Sequence, residues 1–355
     1  MIVLLSSASR TRYSDDIIRI LALPRGGQMQ FRYANSWLSG DVRRQVPRTM
    51  LAGSYALVCY LADGAAAVSH EIVPVRLVRI IRAEQVGSSY IFTIEAQDFV
   101  SGLDDAAIRS AASDADRAQL SGPATGSGTL FAFTADLDHR PHRDAGLVAF
   151  EATALALSAH APFNRPETAF YTVLRVGRLS AKSWFNSWPR PSAIAQGAFD
   201  LASGQRYECE VYCLRHYTPS ADTPLPHLSL GVAATESTLD FASATRSPID
   251  SKYDVKRFVF AAEPGVLRRV SGFNLFLTSD PTSEQGAQDI TLPLIFRGSI
   301  LIAALRALLI GIATAGPSMI AVNAAGKLNP DVATVVIALG VLAGAAAIFP
   351  SIRKA

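Results

Sequence analysis

Arginines, glycines and one tryptophan near the amino terminus are the residues best suited to chemistry on a charged ligand. Pro24-Arg25-Gly26-Gly27 reads as a turn whose glycines let backbone amides approach an anion, and Arg32, Trp37, Arg43 and Arg44 follow closely in sequence. A guanidinium brings charge and a planar fork of donors matched to phosphate, and an indole offers a face on which a base stacks. The same residues also fit a hairpin turn followed by a solvated loop. A second aromatic stretch, from Lys182 to Arg190, sets Trp184, Phe185 and Trp188 between two cations. It suits a ligand lid, an interfacial membrane anchor or part of a core.

Signatures of catalysis are missing. The chain has no G-x-S-x-G, no Walker A sequence, no G-x-G-x-x-G leading into a helix, no H-E-x-x-H and no paired C-x-x-C. His139 and His142, with Asp136, Asp138 and Asp144, resemble metal ligands at first sight, but Pro141 and the surrounding charge suit an exposed loop better. The expectation is a protein that is not an enzyme and holds neither metal nor cofactor.

A different chemistry is implied near the carboxyl end. Ser299 to Val322 is an apolar run of about 24 residues, roughly 36 Å as a helix against roughly 30 Å of hydrocarbon. Val332 to Phe349 adds about 18 residues without a charge, and Asn323 to Asp331 between them supplies the Gly, Asn and Pro that end one helix and begin another. The pair reads as a hairpin that crosses a bilayer twice. Arg306 lies about 10 Å inside the first run, and the second run offers it no carboxylate. It snorkels to the headgroups, or the span begins after it, or it faces a helix bundle or pore. Gly340 and Gly344 form a small-xxx-small pair that brings another helix close, from a second copy or from the first run of the same chain. Arg297 before the hairpin and Arg353 and Lys354 after it place both the amino-terminal mass and the tail in the cytoplasm.

The remaining elements must position these residues. A formal net charge of +3 over 355 residues is too small to argue for binding of duplex DNA. Cys209 and Cys213 lie roughly 13 Å apart on one extended run, too far to bridge, and Cys59 leaves the count odd, as in a reducing compartment. Met1 to Leu5 lacks a basic start and a cleavage site, so it reads as a strand. Two apolar runs around the Pro24 turn, from Ile17 to Tyr33, read as a β-hairpin, and strand-like runs recur at Tyr55–Leu61, Glu71–Arg82 and Tyr90–Gln97. Pro74 puts its strand at an edge or a bulge. The expected fold is mainly β: a small barrel over 1–100, a short helix and linker over 101–128, a β-sandwich-like domain over 129–293, and the transmembrane hairpin in 294–355.

This arrangement of an arginine-bearing, strand-rich cytoplasmic portion and a closing two-helix hairpin resembles a family of antiphage effectors. These join two transmembrane helices to a β-barrel and accompany a minimal CRISPR-type nucleotide polymerase in Panoptes-type defence. The larger second β-domain lies outside that pattern. The resemblance implies a cytoplasmic domain that binds a cyclic oligonucleotide second messenger made by a partner polymerase or cyclase. It further implies that loss of the ligand frees the hairpins to form a homo-oligomer in the lipid bilayer of the bacterial inner membrane and breach it. Ligand-triggered assembly is equally consistent with the residues themselves. So, from another class, is a membrane-tethered protein-interaction module whose hairpin serves as an anchor.

Overall fold

A computed structural model describes residues 1–7, 11–46, 51–63, 70–120, 131–179, 190–216, 227–237, 239–262, 268–279 and 288–298. Both apolar runs, with Arg306, Gly340 and Gly344, lie outside the described residues, as does the Trp184–Trp188 loop. Among the described residues no helix is long and apolar enough to cross a membrane. The chain divides into a large unit (Met1–Asp200, Arg206–Ala261 and Ser271–Leu294) and a small one (Leu201–Gln205, Ala262–Val270 and Ile295–Ala355). Within the small unit, the Ser203 amide donates to the Arg297 carbonyl (3.0 Å). The chain is mainly β, as its alternating apolar runs require.

In chain order the first sheet system comprises β1 (Ile2–Ser7), α1 (Thr11–Ala22), β2 (Gln28–Ala34), α2 (Gly40–Gln45), β3 (Tyr55–Asp63), β4 (His70–Val86) and β5 (Ser89–Val100). It continues through α3 (Asp105–Ala111), α4 (Asp114–Leu120), β6 (Ala132–Thr134) and β7 (Arg143–Asp144). The strands form one half-barrel sheet in the order β2-β5-β4-β3-β1-β6, with β7 on β5. β1 runs parallel to β3, Ile2 facing Ala56, and the other neighbours are antiparallel. The chain after β2 crosses to the far edge: Leu38 bridges Ala132, the Trp37 carbonyl accepts from Phe131 N (2.8 Å), and Ser39 N donates to the Ala132 carbonyl (2.8 Å). The stretch from Asn35 to Gln45 thus contains a 3₁₀ turn over Asn35–Trp37 and α2, whose amino end Ser39 caps through Val42 N.

The expected hairpin over Ile17–Tyr33 is corrected. Its first half is helix α1, because Ile17, Ile18, Ile20 and Leu21 share a buried helical face while Asp16 and Arg19 pair one turn apart. An apolar run of this length carries no strand signal of its own when β-branched residues fall at i, i+1 and i+3. Pro74 sits in an interior strand, opposite Cys59, and the register slips between Cys59 and Val58 so that Arg76 faces Val58. Of the two roles open to this proline, the structure uses the bulge.

That bulge sets Arg76 inward, 2% exposed. Its guanidinium donates to the carbonyls of Ile20 (2.7 Å), Leu21 (3.2 Å) and Leu23 (2.6 Å), which end α1, and twice to the Gln97 carbonyl on β5 (3.0 and 3.1 Å). The Phe99 ring lies 4.4 Å below it. Burial pushes its pKa down to about 9, with Asp98 opposing and Arg25 assisting, so it stays charged at neutral pH.

α5 (Leu147–Ser158) leads into the second system: β8 (Phe170–Arg178), β9 (Arg190–Pro191), β10 (Ile194–Ala195), β11 (Ala198–Ala202), β12 (Arg206–Leu214) and β13 (Ser229–Ala234). It ends with β14 (Leu239–Phe241), β15 (Arg246–Pro248), β16 (Tyr253–Ala262), β17 (Arg269–Thr278) and β18 (Gln288–Arg297). These form a six-stranded sheet, β10-β11-β18-β17-β13-β15, and a five-stranded one, β14-β16-β12-β8-β9. Phe260 and Phe241 of the second meet Phe273 of the first at 5.2 and 5.9 Å between ring centroids, so the sheets share an aromatic core. Gly231 faces Phe276 across β13 and β17, and a Cβ there would lie 2.5 Å from the ring's Cζ.

Two substitutions test this packing. Arg76→Leu strips the donor from four buried carbonyls and is expected to cost about 3–5 kcal/mol, read by urea unfolding of the full chain. Gly231→Ala must displace the Phe276 ring and is expected to cost about 1–3 kcal/mol in the same measurement.

Candidate functional site

Where β5 and the Pro24 turn approach β8 and the β10–β11 hairpin, a cleft of about 380 Å³ opens, within the size range of small-ligand sites. Arg25, Gly26, Glu95 and Gln97 line one side, and Leu174, Arg175, Ser192 and Ile194 the other. The Pro24 turn extends the pairing of β2 with β5: Gly26 N donates to the Ala96 carbonyl and Ala96 N to the Gly27 carbonyl, both at 2.8 Å. Gly26 needs its φ of +90°, and a Cβ there would lie 3.2 Å from Ile194 Cγ2. Ile194 is brought over it by a two-residue turn, Gln196 (φ 53°) and Gly197 (φ 80°), both left-handed as this kind of hairpin demands.

The cleft's cations are held from behind. Arg25, 59% exposed in its side chain, lies 3.1 Å from Oδ1 of buried Asp98, whose Oδ2 accepts from Arg143 Nε (3.0 Å) and pairs with its Nη2 (2.9 Å). Across the cleft, Arg175 Nε lies 2.7 Å from Oε2 of Glu210, whose Oε1 accepts from Arg257 Nε (3.2 Å) and Nη2 (3.0 Å). Two Arg–carboxylate–Arg groups therefore flank the opening. Asp98 Oδ1 and Arg175 Nε are close to their charge partners yet make no aligned hydrogen bond. On the Arg25 side, Glu95 Oε1 accepts from Gln97 Nε2 (2.8 Å).

Of the residues singled out in the sequence, the structure brings Arg25 and Gly26 to this cleft. The amides of Gly26 and Gly27 are spent on Ala96 and Pro24 carbonyls, so the turn is not an anion cradle; its contribution is the Arg25 side chain. Arg32 projects from the exposed face of β2 opposite Ile91. Trp37 packs on Phe131 with centroids 5.3 Å apart, beyond the far end of β2, a strand about 20 Å long. Arg43 is exposed on α2, and Arg44 pairs with Asp41. Arg175, Glu95 and Gln97 were not apparent: each is one polar residue in an alternating strand, and only pairing distant in sequence gives them a common cleft. Gln196-Gly197 between Ile194 and Phe199 was the signal available for the opposite wall.

The His139 loop makes packing contacts instead. His139 stacks on Tyr55 with centroids 3.9 Å apart, and His142 Nδ1 meets the Ser101 carbonyl at 3.2 Å. No group of three potential metal ligands occurs among the described residues.

No family model matches the chain, and no curated protein matches it. Among solved structures, SSP-19, an MSP-domain-like family member from Caenorhabditis elegans, is 12% identical over 28% of this chain and 92% of its own, with a TM-score of 0.19. A conjugative transposon lipoprotein from Bacteroides eggerthii is 10% identical over 36% and 95%, at 0.20. WR4, an MSP family member from C. elegans, is 6% identical over 28% and 90%, at 0.19. At these scores the likenesses carry no argument about fold or function.

Burial lowers the pKa of His139 from its ordinary 6.5, Arg143 and Arg140 lower it further, and Asp138 opposes them. The folded state thus favours the neutral ring, and its stabilising contribution is present above about pH 6.5 and lost as pH falls. His139→Phe, which keeps a ring on Tyr55, is expected to lose less melting temperature than the wild type between roughly pH 7 and pH 5. Equal losses would assign the pH dependence elsewhere.

Proposed function

We propose that the chain is a membrane-anchored antiphage effector whose cytoplasmic β-sheets bind a cyclic oligonucleotide, with occupancy controlling assembly of the apolar runs 299–322 and 332–349 in the inner membrane. The observation that carries this reading is the cleft with Arg25 and Arg175 on opposite sides, a concave site with positive charge in a chain with two bilayer-length apolar runs. The functional partner is a nucleotide polymerase or cyclase that makes the ligand. A ligand that binds only the resting state stabilises it by about 2.7 kcal/mol at roughly a hundredfold excess over Kd. Withdrawing the ligand returns that free energy to helix association. In the assembled state Gly340 and Gly344 supply the close helix contact and Arg306 faces the bundle interior.

A second reading, a protein-interaction module with a plain membrane anchor, is favoured by α5. Its outer face presents Val148 (77% exposed) and Leu155 (55%) with Ala152 and Ala156, an apolar stripe without a charge.

Dye-reported membrane potential in cells expressing the full chain, with and without a cyclic-oligonucleotide synthase, separates the two. The effector is expected to collapse the potential in one ligand state, and Arg306→Leu to blunt the collapse. A potential that stays intact in both states would leave the anchored interaction module as the better account.

A further inference from the structure

We infer that the cleft is built for a ligand with two separated anionic groups, one received by Arg25 and the other by Arg175, so that the bound molecule bridges the half-barrel and the sandwich. The inference rests on the cleft being the ligand site proposed above, and does not depend on what the carboxyl-terminal runs do.

Each cation is arranged to change partners at low cost. Pulling a guanidinium away from a buried carboxylate ordinarily strands that charge, a penalty large enough to keep such pairs closed. Here Asp98 keeps Arg143 and Glu210 keeps Arg257 when the cleft-facing arginine turns outward. Neither Asp98 Oδ1 nor Arg175 Nε has an aligned hydrogen bond to give up. Both arginines are therefore held near their carboxylates by charge and are available to form the bidentate, charge-assisted bonds that a phosphate offers.

The charges around the opening set the ligand's sign. Four guanidiniums, those of Arg25, Arg143, Arg175 and Arg257, stand against three carboxylates, those of Asp98, Glu210 and Glu95. The excess is positive, and Glu95 with Gln97 lines the same side as Arg25. A third anionic group beside Glu95 would be repelled, and an N–H donor would be accepted. Leu174, 39% exposed, and Ile194 add apolar surface for an uncharged ring. The chemical class is a bisphosphate that carries a heterocycle bearing N–H groups.

Titration calorimetry on the full chain in detergent tests this with adenosine 3′,5′-bisphosphate as probe and inorganic phosphate as the single-anion control. The bisphosphate is expected to bind, and inorganic phosphate to bind about 100-fold more weakly or not at all. Arg25→Ala and Arg175→Ala are each expected to weaken the bisphosphate by about tenfold or more, while Arg32→Ala and Arg43→Ala leave it unchanged. Arg175→Lys, which keeps the charge and loses the fork, is expected to fall between Arg175→Ala and the wild type and guards against a merely misfolded alanine variant. Bisphosphate binding no tighter than inorganic phosphate, no bisphosphate binding at all, or wild-type affinity in Arg175→Ala would each overturn the inference. Tight two-arginine binding with an unchanged membrane potential would instead sink the effector reading and leave this site standing.

Discussion

One buried guanidinium holds together the elements that shape the cleft. Arg76 enters the interior because the bulge beside Pro74 turns it there, and once inside it has no carboxylate in direct contact. An ammonium with three donors would leave some of the available acceptors unmet, whereas the planar fork reaches the last carbonyls of α1 and the Gln97 carbonyl at once. Those helix carbonyls are unsatisfied by the helix itself and carry its negative end, so the cation supplies both missing hydrogen bonds and a favourable field. Two residues beyond the last carbonyl it binds comes Arg25. The position of the cleft's first cation follows from the way α1 is ended.

The same interior charge explains why Asp98 tolerates burial. Its neighbours are Arg25, Arg143 and, through space, Arg76, so a carboxylate taken out of water is compensated from several directions. Glu210 reaches a similar end on a strand surface, with Arg175 and Arg257 on the two flanking strands at one register. Cross-strand pairing of opposite charges stabilises a sheet modestly. Its larger consequence here is geometric, since each carboxylate fixes a guanidinium at the cleft while remaining paired behind it. Such an opening attracts anions at range, an effect that salt screens over about 10 Å at 0.1 M.

Much of the framework was legible because strands announce themselves by alternation. The strand-like runs Tyr55–Leu61, Glu71–Arg82 and Tyr90–Gln97 each fall inside an observed strand, β3, β4 and β5 in turn. Ile17 to Leu23 misled because a short apolar run satisfies both periods, and the contact that fixes the helix end, Arg76 on the Leu23 carbonyl, comes from far away in sequence. The site was half legible for a related reason. Arg25 could be found because a glycine turn displays it, but the turn's amides were already committed to β5, and Arg175 acquires its role only when β8 is set beside β12 and the Ile194 hairpin. Composition identifies donors; pairing across long sequence separations decides which of them meet.

Strand β18 gives the arrangement a direction. Arg19, in the last turn of α1, donates to the Asp289 carbonyl (3.1 Å) and to its Oδ1 (3.0 Å), and β18 runs from there to Arg297, two residues before the first apolar run. Contacts therefore lead from Arg25 through Asp98 and β5 to Arg76, along the carboxyl end of α1, and into β18. Contiguity alone does not transmit a signal, which requires an element with two arrangements of similar free energy. Arg19 lies beside the end of α1 that Arg76 fixes, so it pins β18 instead of swinging it. A ligand that binds Arg25 and Arg175 together adds a further tie between the same two sheet systems. Under the proposed function, occupancy then holds β18 in place and loss of ligand loosens it, which is the sign of a ligand that restrains the resting state.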